Sequence, residues 1–424
     1  YCGDFCMSIW LANAVDRGGA TNDWLSPKRQ QSLELLQQSR WPTRKTEAWK
    51  YTSVNMLVDA TFAETSDGIF DAPELIDNLD SIDLLLVDGV LRSDIGDLPS
   101  GLSIYSIADT PIEQREWAAE VFTGAKPSKH YFGLVNDVLA TAGVLIDVAE
   151  GVKVDRPIRV ICRQSNGCES HTRILMRLGS NAEAVIIEDF AGEVKSFNTG
   201  FSEYIVGESA TLEHYRIAMN TGEAISIGGC HFNLNYRSAL NSTVVGLGSS
   251  LSRLDIDVNH IGEYATAKLN AFYLLNGSET FDLHSSIEHI AANGTSEENV
   301  RGIVADSSRA VFNGRIHIHR NAQKTLAELN NRNLLLSRNA EIYTKPELEI
   351  YADDVRCAHG ATIAEIDKEA LYYLQSRGMS KAQAQIMLSF GFINELVDQM
   401  PNQNLAAWLR PHLRRRFAEM ESTQ

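Results

Sequence analysis

The chain has 424 residues, 44% hydrophobic and 22% charged, with a formal net charge of -17. That composition excludes a disordered or fibrous chain, and the acidic balance lacks the basic footprint that nucleic-acid binding needs. No apolar run approaches the ~20 residues that cross a bilayer.

The start, YCGDFCMSIWLANAVDRGG, has neither the basic-then-apolar pattern of a secretory leader nor the Arg-rich pattern of an organellar one. Residues 1–25 are therefore expected to be a poorly ordered leader, with Met7 as the natural start. The cysteines stand at 2, 6, 162, 168, 230 and 357, with no CxxC pair. This is ordinary usage in a reducing compartment, and it places the protein in the cytoplasm.

Residues 26–139 read as a mixed, partly helical region. SPKRQQSLELLQQSR is a helix over 26–40, with Ser26 as cap and Pro27 at the first helical position. Trp41, Trp49 and Tyr51 follow within a few residues and are expected to anchor the segment to a core. IDLLLVDGVL, 82–91, is an apolar run with an Asp88-Gly89 turn signal. PIEQREWAAEVFTG, 111–124, is helical, opened by Pro111 and closed by Gly124.

From 140 to 362, strand follows strand. RLDIDVNHI alternates, putting Leu254, Ile256 and Val258 on a buried face and Asp255, Asp257 and Asn259 on a wet one. RIHIHRNAQKT, 315–325, superposes on ELEIYADDVRC, 347–357, at an offset of 32: Ile316 meets Leu348, Ile318 meets Ile350 and Lys324 meets Arg356. Short strands with such a repeat predict stacked coils, a β-helix, in preference to a sandwich or barrel. NNRN, 330–333, and SRNA, 337–340, are read as its turns.

Residues 363–424 switch to a helical period. EALYYLQSRG ends on Gly378, a second helix over 380–400 starts at Ser380, and a third is interrupted or kinked at Pro411. These helices are expected to cap the end of the strand stack.

Three sets of residues could carry chemistry. His317 and His319 share one strand face and, with His284 and His289 one coil earlier, could bind a metal. Asp255 and Asp257 share an outward face where acid–base work would suit them. A stand-alone β-helix enzyme or sugar-binding protein using the His284/His317/His319 face is the alternative function. There is no phosphate loop and no dinucleotide-binding glycine pattern in its required context, so nucleotide energy must come from a partner. The third set is DDVRCAHGAT, 353–362, where Cys357 and His359 fall on the same side of a strand. On the residues alone it is a packed last coil, a metal half-site or a Cys–His nucleophile pair, packing being the plainest.

NNRNLLLSRNAEIYTKPELEIYADDVRCAHGATIAEIDKEALYYLQSRGMS resembles the signature region of the SufB/SufD family of iron–sulfur cluster assembly proteins. VFNGRIHIHRNAQKT and FDLHSSIEHIA continue the match, and TRKTEAWKYT is similar to the SufD branch. The resemblance spans about residues 26–420. It implies a mainly β fold: a right-handed parallel β-helix core flanked by N-terminal and C-terminal helical regions. On that pattern the chain divides into 26–139, a core at 140–362 and a helical domain at 363–424.

The resemblance further implies a non-enzymatic scaffold that pairs with SufB through the β-helix ends, and a SufC ATPase bound by helices within 369–419. No cofactor would be held stably by the chain alone. A transient iron or iron–sulfur cluster would sit at the SufB interface, with His359 the preferred ligand and Cys357 the less certain one. Asp353 and Asp354 would be outer orienters or only solvated turn residues. Without SufB, a homodimer is the implied fallback.

Overall fold

In the computed structural model, which describes residues 8–64 and 73–422, the chain from Ala142 to Glu365 winds into a parallel β-solenoid of about eight turns. Successive strands alternate between a ten-stranded and a nine-stranded sheet, each pairing in parallel with strands two places away in sequence. The mainly β architecture with helices before and after it agrees with the sequence. Two early strands close the first coil: Ile82–Val87 pairs in parallel with Ile158–Arg163, and Leu102–Ser106 runs antiparallel to Ala142–Val148. Asp88 and Gly89 both take positive φ, as a tight hairpin needs, and Val90 and Leu91 fold back on the first strand.

Alternation decides which side chains fill the space between the sheets. Leu254, Ile256 and Val258 point inward and are buried, because a strand puts every second residue on one face. The offset of 32 holds where it was read from apolar positions: Ile316 pairs with Leu348 and Ile318 with Ile350. It fails past the turn, where Arg356 pairs with Leu326 and not with Lys324. The last turn is two residues shorter, since Ile318–Leu326 becomes Ile350–Arg356, and Lys324 lies in the turn with a left-handed backbone.

That left-handed residue recurs once per coil, at Asn181, Ser209, Arg237, Tyr264, Asn293 and Lys324. Each of these N–H groups donates to a carbonyl of the following coil, from Asn181 to Glu208 through Lys324 to Asp354. Stacked backbone bonds offset the cost of a left-handed conformation in residues with a Cβ. NNRN, expected as a turn, lies instead within the strand Leu326–Leu335. Asn331 and Asn333 point inward because their amides find partners there. Asn333 donates to Asn331 Oδ1 at 2.7 Å, and the Tyr273 hydroxyl donates to Asn333 Oδ1 at 2.6 Å.

Helices cover both outer faces of the solenoid. Among the described residues four α-helices precede it: α1, Ile9–Ala20; α2, Ser26–Gln38; α3, Ile112–Val121; and α4, Tyr131–Leu139. The first 25 residues, expected as a poorly ordered leader, therefore hold a helix from Ile9, and Trp10, Leu11 and Ala14 are buried in it. Leu25, not Ser26, occupies the cap position of α2, and the Ser26 hydroxyl donates to the Asp23 carbonyl. Trp10, Leu33, Trp49 and Phe132 pack on Phe197 and Ile227 of the nine-stranded sheet. Trp117 and Phe122 pack on Leu145 and Leu175.

Three helices follow the solenoid: α5, Lys368–Ser376; α6, Lys381–Asp398; and α7, Gln403–Ser422, which runs on through Pro411. Ser380 caps α6 in a full capping box with Gln383. Ile393, Val397, Leu409 and Phe417 of α6 and α7 bury against Tyr215, Ile217, Phe272 and Ile303 on the outer face of the ten-stranded sheet. At about 1.5–3 kcal/mol per fully buried apolar side chain, these contacts fasten α6 and α7 to the flank. The expected helical cap is thus displaced from the end of the stack to its side. Among the described residues, no helix is long and apolar enough to cross a membrane.

Candidate functional site

The displacement of the helices leaves the last coil open. Glu341–Ile350 and Arg356–Glu365 are the final strands of their sheets, and each pairs on one side only. Cys357 lies over Ala327, His359 over Leu329, Ile363 over Asn333 and Ile350 over Ile318. The lower members of these pairs are core residues, Ala327 at 0% and Leu329 at 2% exposure, whereas Ile350 is 42% and Ile363 46% exposed. The inward register of the solenoid stops here, with no lid among the described residues.

His359 is exposed, and its side chain makes no hydrogen bond or ion pair among the described residues. Cys357 is half-buried against the core, and burial pushes its thiol up, with a backbone hydrogen bond involving Ala327 opposing. The two share one side of one strand, and no hydrogen bond joins them. A nucleophilic cysteine requires a lowered thiol and a bonded base, so the geometry opposes the nucleophile reading. Two ligand-type side chains at an open end remain. Asp353 and Asp354 sit in the adjoining turn. There Asp354 engages through its backbone: its N–H donates to Gln323 Oε1 at 2.9 Å and its carbonyl accepts from Lys324.

The outward candidates fare differently. Asp255 is buried beside His130, the N-cap of α4, with Arg253 Nη2 at 2.9 Å from Oδ1 and His130 Nε2 at 3.0 Å from Oδ2. Burial alone would raise this carboxyl, but Arg253 and His130 hold it well below the usual range. Asp257 faces His231 Nδ1 at 2.7 Å. The face read as wet is largely covered by the N-terminal segment: Asp255 holds His130, whereas Asp257 ties back to His231 of the neighbouring strand. His289 turns inward and packs on His260, ring centroids 4.3 Å apart and tilted, where burial pushes its imidazole down to about 2. His284 pairs separately with Asp282 at 2.9 Å. The His284/His317/His319 face is therefore not assembled.

His317 and His319 do meet, on a carboxylate that sequence reasoning missed. Glu288 Oε2 lies 2.7 Å from His317 Nδ1 and 2.8 Å from His319 Nε2. Glu288 and His317 are register partners. The signal was present in the alignment of SIEH, 286–289, with RIHI, 315–318. A second cluster lies between the sheets, where Glu188 accepts from Ser202, Tyr204 and His214 and pairs with Arg216, close to Cys230. Burial opposes its charge, yet Arg216 and these donors hold Glu188 well below the carboxylate range. Its oxygens are already satisfied, so it reads as an internal ionic tie.

Comparison with known proteins follows the same lines. Residues 161–392 match the family model described as SUF system FeS cluster assembly, SufBD core domain, and residues 19–160 match that of the SufBD protein N-terminal region. The chain is 32% identical over 394 residues to the iron-sulfur cluster assembly protein SufD of Escherichia coli K12, covering 90% of each. It is 29% identical over 404 residues to protein ABCI7, chloroplastic, of Arabidopsis thaliana, covering 91% of this chain and 85% of that one. Identity to SufD of Bacillus subtilis is 24% over 399 residues, covering 89% and 90%. With most of its length matched by these models and relatives, the chain belongs to the SufBD family of SUF-system iron–sulfur cluster assembly proteins, and within it is SufD-like.

Proposed function

We propose that this chain is a scaffold subunit of a SUF assembly complex, pairing through the open end of its solenoid with a SufB-type subunit. The two ends form the site where an iron–sulfur cluster is assembled as cargo. His359 supplies a ligand atom from this side, with Cys357 the less favoured second. One imidazole cannot hold a cluster, so partner thiolates complete the set.

The observation that carries the reading is the uncovered terminal coil. An exposed edge strand carrying apolar residues templates unwanted pairing, and proteins cover or blunt such edges. Here the helices that could have covered it are fastened to the flank, so a partner's matching end is the cover the geometry calls for. In the absence of that partner, a second copy offers the same edge, and an end-to-end homodimer forms.

The C-terminal helices, within 369–419, dock a SufC-type ATPase. In support, α5 buries no residue, and Tyr372 and Tyr373 on it are 74% and 56% exposed. Nucleotide energy enters through that subunit and shifts the interface between two arrangements by binding them unequally.

The test is co-expression with SufB-type and SufC-type subunits of the same source, with and without Ile363→Arg. Ile363 is largely uncovered in the isolated chain, so the substitution leaves the coil folded. Size exclusion with light scattering should show a complex for the wild type and none for the variant. A wild-type chain that stays apart from both subunits, or a variant that assembles fully, refutes the proposal.

A further inference from the structure

The outer face of the nine-stranded sheet carries a group of side chains that neither the open end nor the packing of the helices uses. Glu288, near the end of the strand Thr280–His289, lies beside His317 in the strand Arg309–Ile318. His319, one residue past that strand, swings back so that its ring sits 4.1 Å from that of His317. One ligand atom from each of the three lies within 4.8 Å of the others. All three side chains are partly open to solvent, His319 most at 41%.

We propose that Glu288, His317 and His319 form a binding site for a divalent transition metal, zinc or ferrous iron, on this outer face. Two imidazole nitrogens and one carboxylate oxygen are borderline donors that suit these ions over magnesium or calcium. Three protein ligands with an open side leave further positions for water.

The geometry is already converged. The two ring nitrogens face the same oxygen, Glu288 Oε2, at 2.7 and 2.8 Å. A tetrahedral metal about 2.1 Å from each donor sets the nitrogen–oxygen separation at about 3.4 Å. The side chains need open by only about 0.6–0.7 Å, which partly exposed groups can do. In the empty site those nitrogens carry the protons that face the carboxylate. On ligation each neutral ring moves its proton to its other nitrogen, and a charged ring releases one to solvent, leaving a lone pair for the metal.

The surrounding residues prepare the carboxylate for this role. Arg315 holds the other oxygen, Oε1, through Nη1, which leaves Oε2 to the two histidines. Arg315 is in turn paired with Glu349 through Nε at 2.9 Å and Nη2 at 3.0 Å. Glu349 thus balances the arginine and leaves the charge of Glu288 to the metal. Outer partners of this kind orient metal ligands and are worth about 10–100-fold in affinity.

The site is on the sheet opposite to the strand that bears Cys357 and His359, and the inference does not rest on the assembly reading. It is tested in a Cys357→Ser/His359→Ala background, so that metal bound at the open end does not contribute. Zinc is titrated into the purified chain against a chromophoric chelator, and cobalt is followed by its visible d–d absorption. One equivalent should bind at micromolar or tighter affinity, with cobalt bands typical of nitrogen and oxygen donors. His319→Ala should weaken binding by about 100-fold or more, since a direct ligand exceeds the outer-shell loss. Glu288→Gln should weaken it as well, and the metal-free thermal midpoint of His319→Ala should match its parent. A parent that binds no equivalent, or a His319→Ala variant that binds as tightly, overturns the assignment.

Discussion

Glu298→Gln should make the protein more stable, and by an amount that depends on pH. Glu298 lies in the strand Thr295–Val304, pointing between the sheets with Leu269 below it and Leu329 above. It is 1% exposed, and neither carboxyl oxygen makes a full hydrogen bond. Burial pushes the group up to about 7 from 4.5, with nearby Ser285 opposing only slightly. The folded state therefore holds the proton more tightly than the unfolded one. Stability linked to that proton is intact below 4.5 and is lost as pH rises through 7. A folded value near 7 against 4.5 corresponds to about 3 kcal/mol. The amide keeps the shape and cannot ionise, so it escapes this loss.

Urea unfolding of the two proteins across pH measures the difference, and every other titrating group cancels. The gap should be within about 1 kcal/mol near pH 5 and reach about 3 kcal/mol in favour of the variant near pH 8. A gap that does not change with pH would mean that Glu298 ionises freely, and would refute the buried, unpartnered placement.

Two more outcomes follow from groups deeper in or at the rim of the solenoid. Glu188→Leu should cost about 3–5 kcal/mol at neutral pH, because Arg216 is left buried without its carboxylate; Glu188→Leu/Arg216→Met should recover much of that, as seen by urea midpoints. Cys357 should alkylate more slowly than a free thiol near neutral pH, and speed up only above the ordinary thiol range, since burial raises it. Peptide mapping should find Cys162 and Cys230 untouched until the chain unfolds, and Cys357 protected once a partner covers the open end.

Strand periodicity and coil repeat were legible because both come from apolar side chains that must point inward. Leu254, Ile256 and Val258, and the Ile316–Leu348 and Ile318–Ile350 pairs, fall where their alternation put them. What was misread came from polar residues judged by type alone. Asn330–Asn333 looked like a turn, and is strand because the lumen offers Asn331 and Asn333 each a partner. Asp255 looked wet, and is buried because His130, the N-cap of α4, closes on it. A local period cannot reveal which distant helix covers a face.

The same limit applied at the candidate sites. DDVRCAHGAT was found from its residue types, yet its openness depends on α6 and α7 lying along the flank, a placement set by apolar contacts with Tyr215, Ile217, Phe272 and Ile303 on earlier coils. Glu288 went unnoticed beside His317 because only histidines were sought one coil earlier, and the step to that coil is 29 residues, not the 32 between 315–325 and 347–357. Solenoid coils change length by a residue or more, and contacts across them need each coil's own register.

The proposed role of His359 is to lend a ligand to a cluster built between this chain and a SufB-type partner. It is tested most directly by co-expressing His359→Ala with SufB-type and SufC-type subunits and purifying anaerobically. Iron and acid-labile sulfide are then measured on complexes matched by size exclusion. The account predicts an intact complex whose iron and sulfide fall far below those of the wild type. An intact complex with unchanged iron and sulfide would contradict it and leave His359 a surface residue of the last coil.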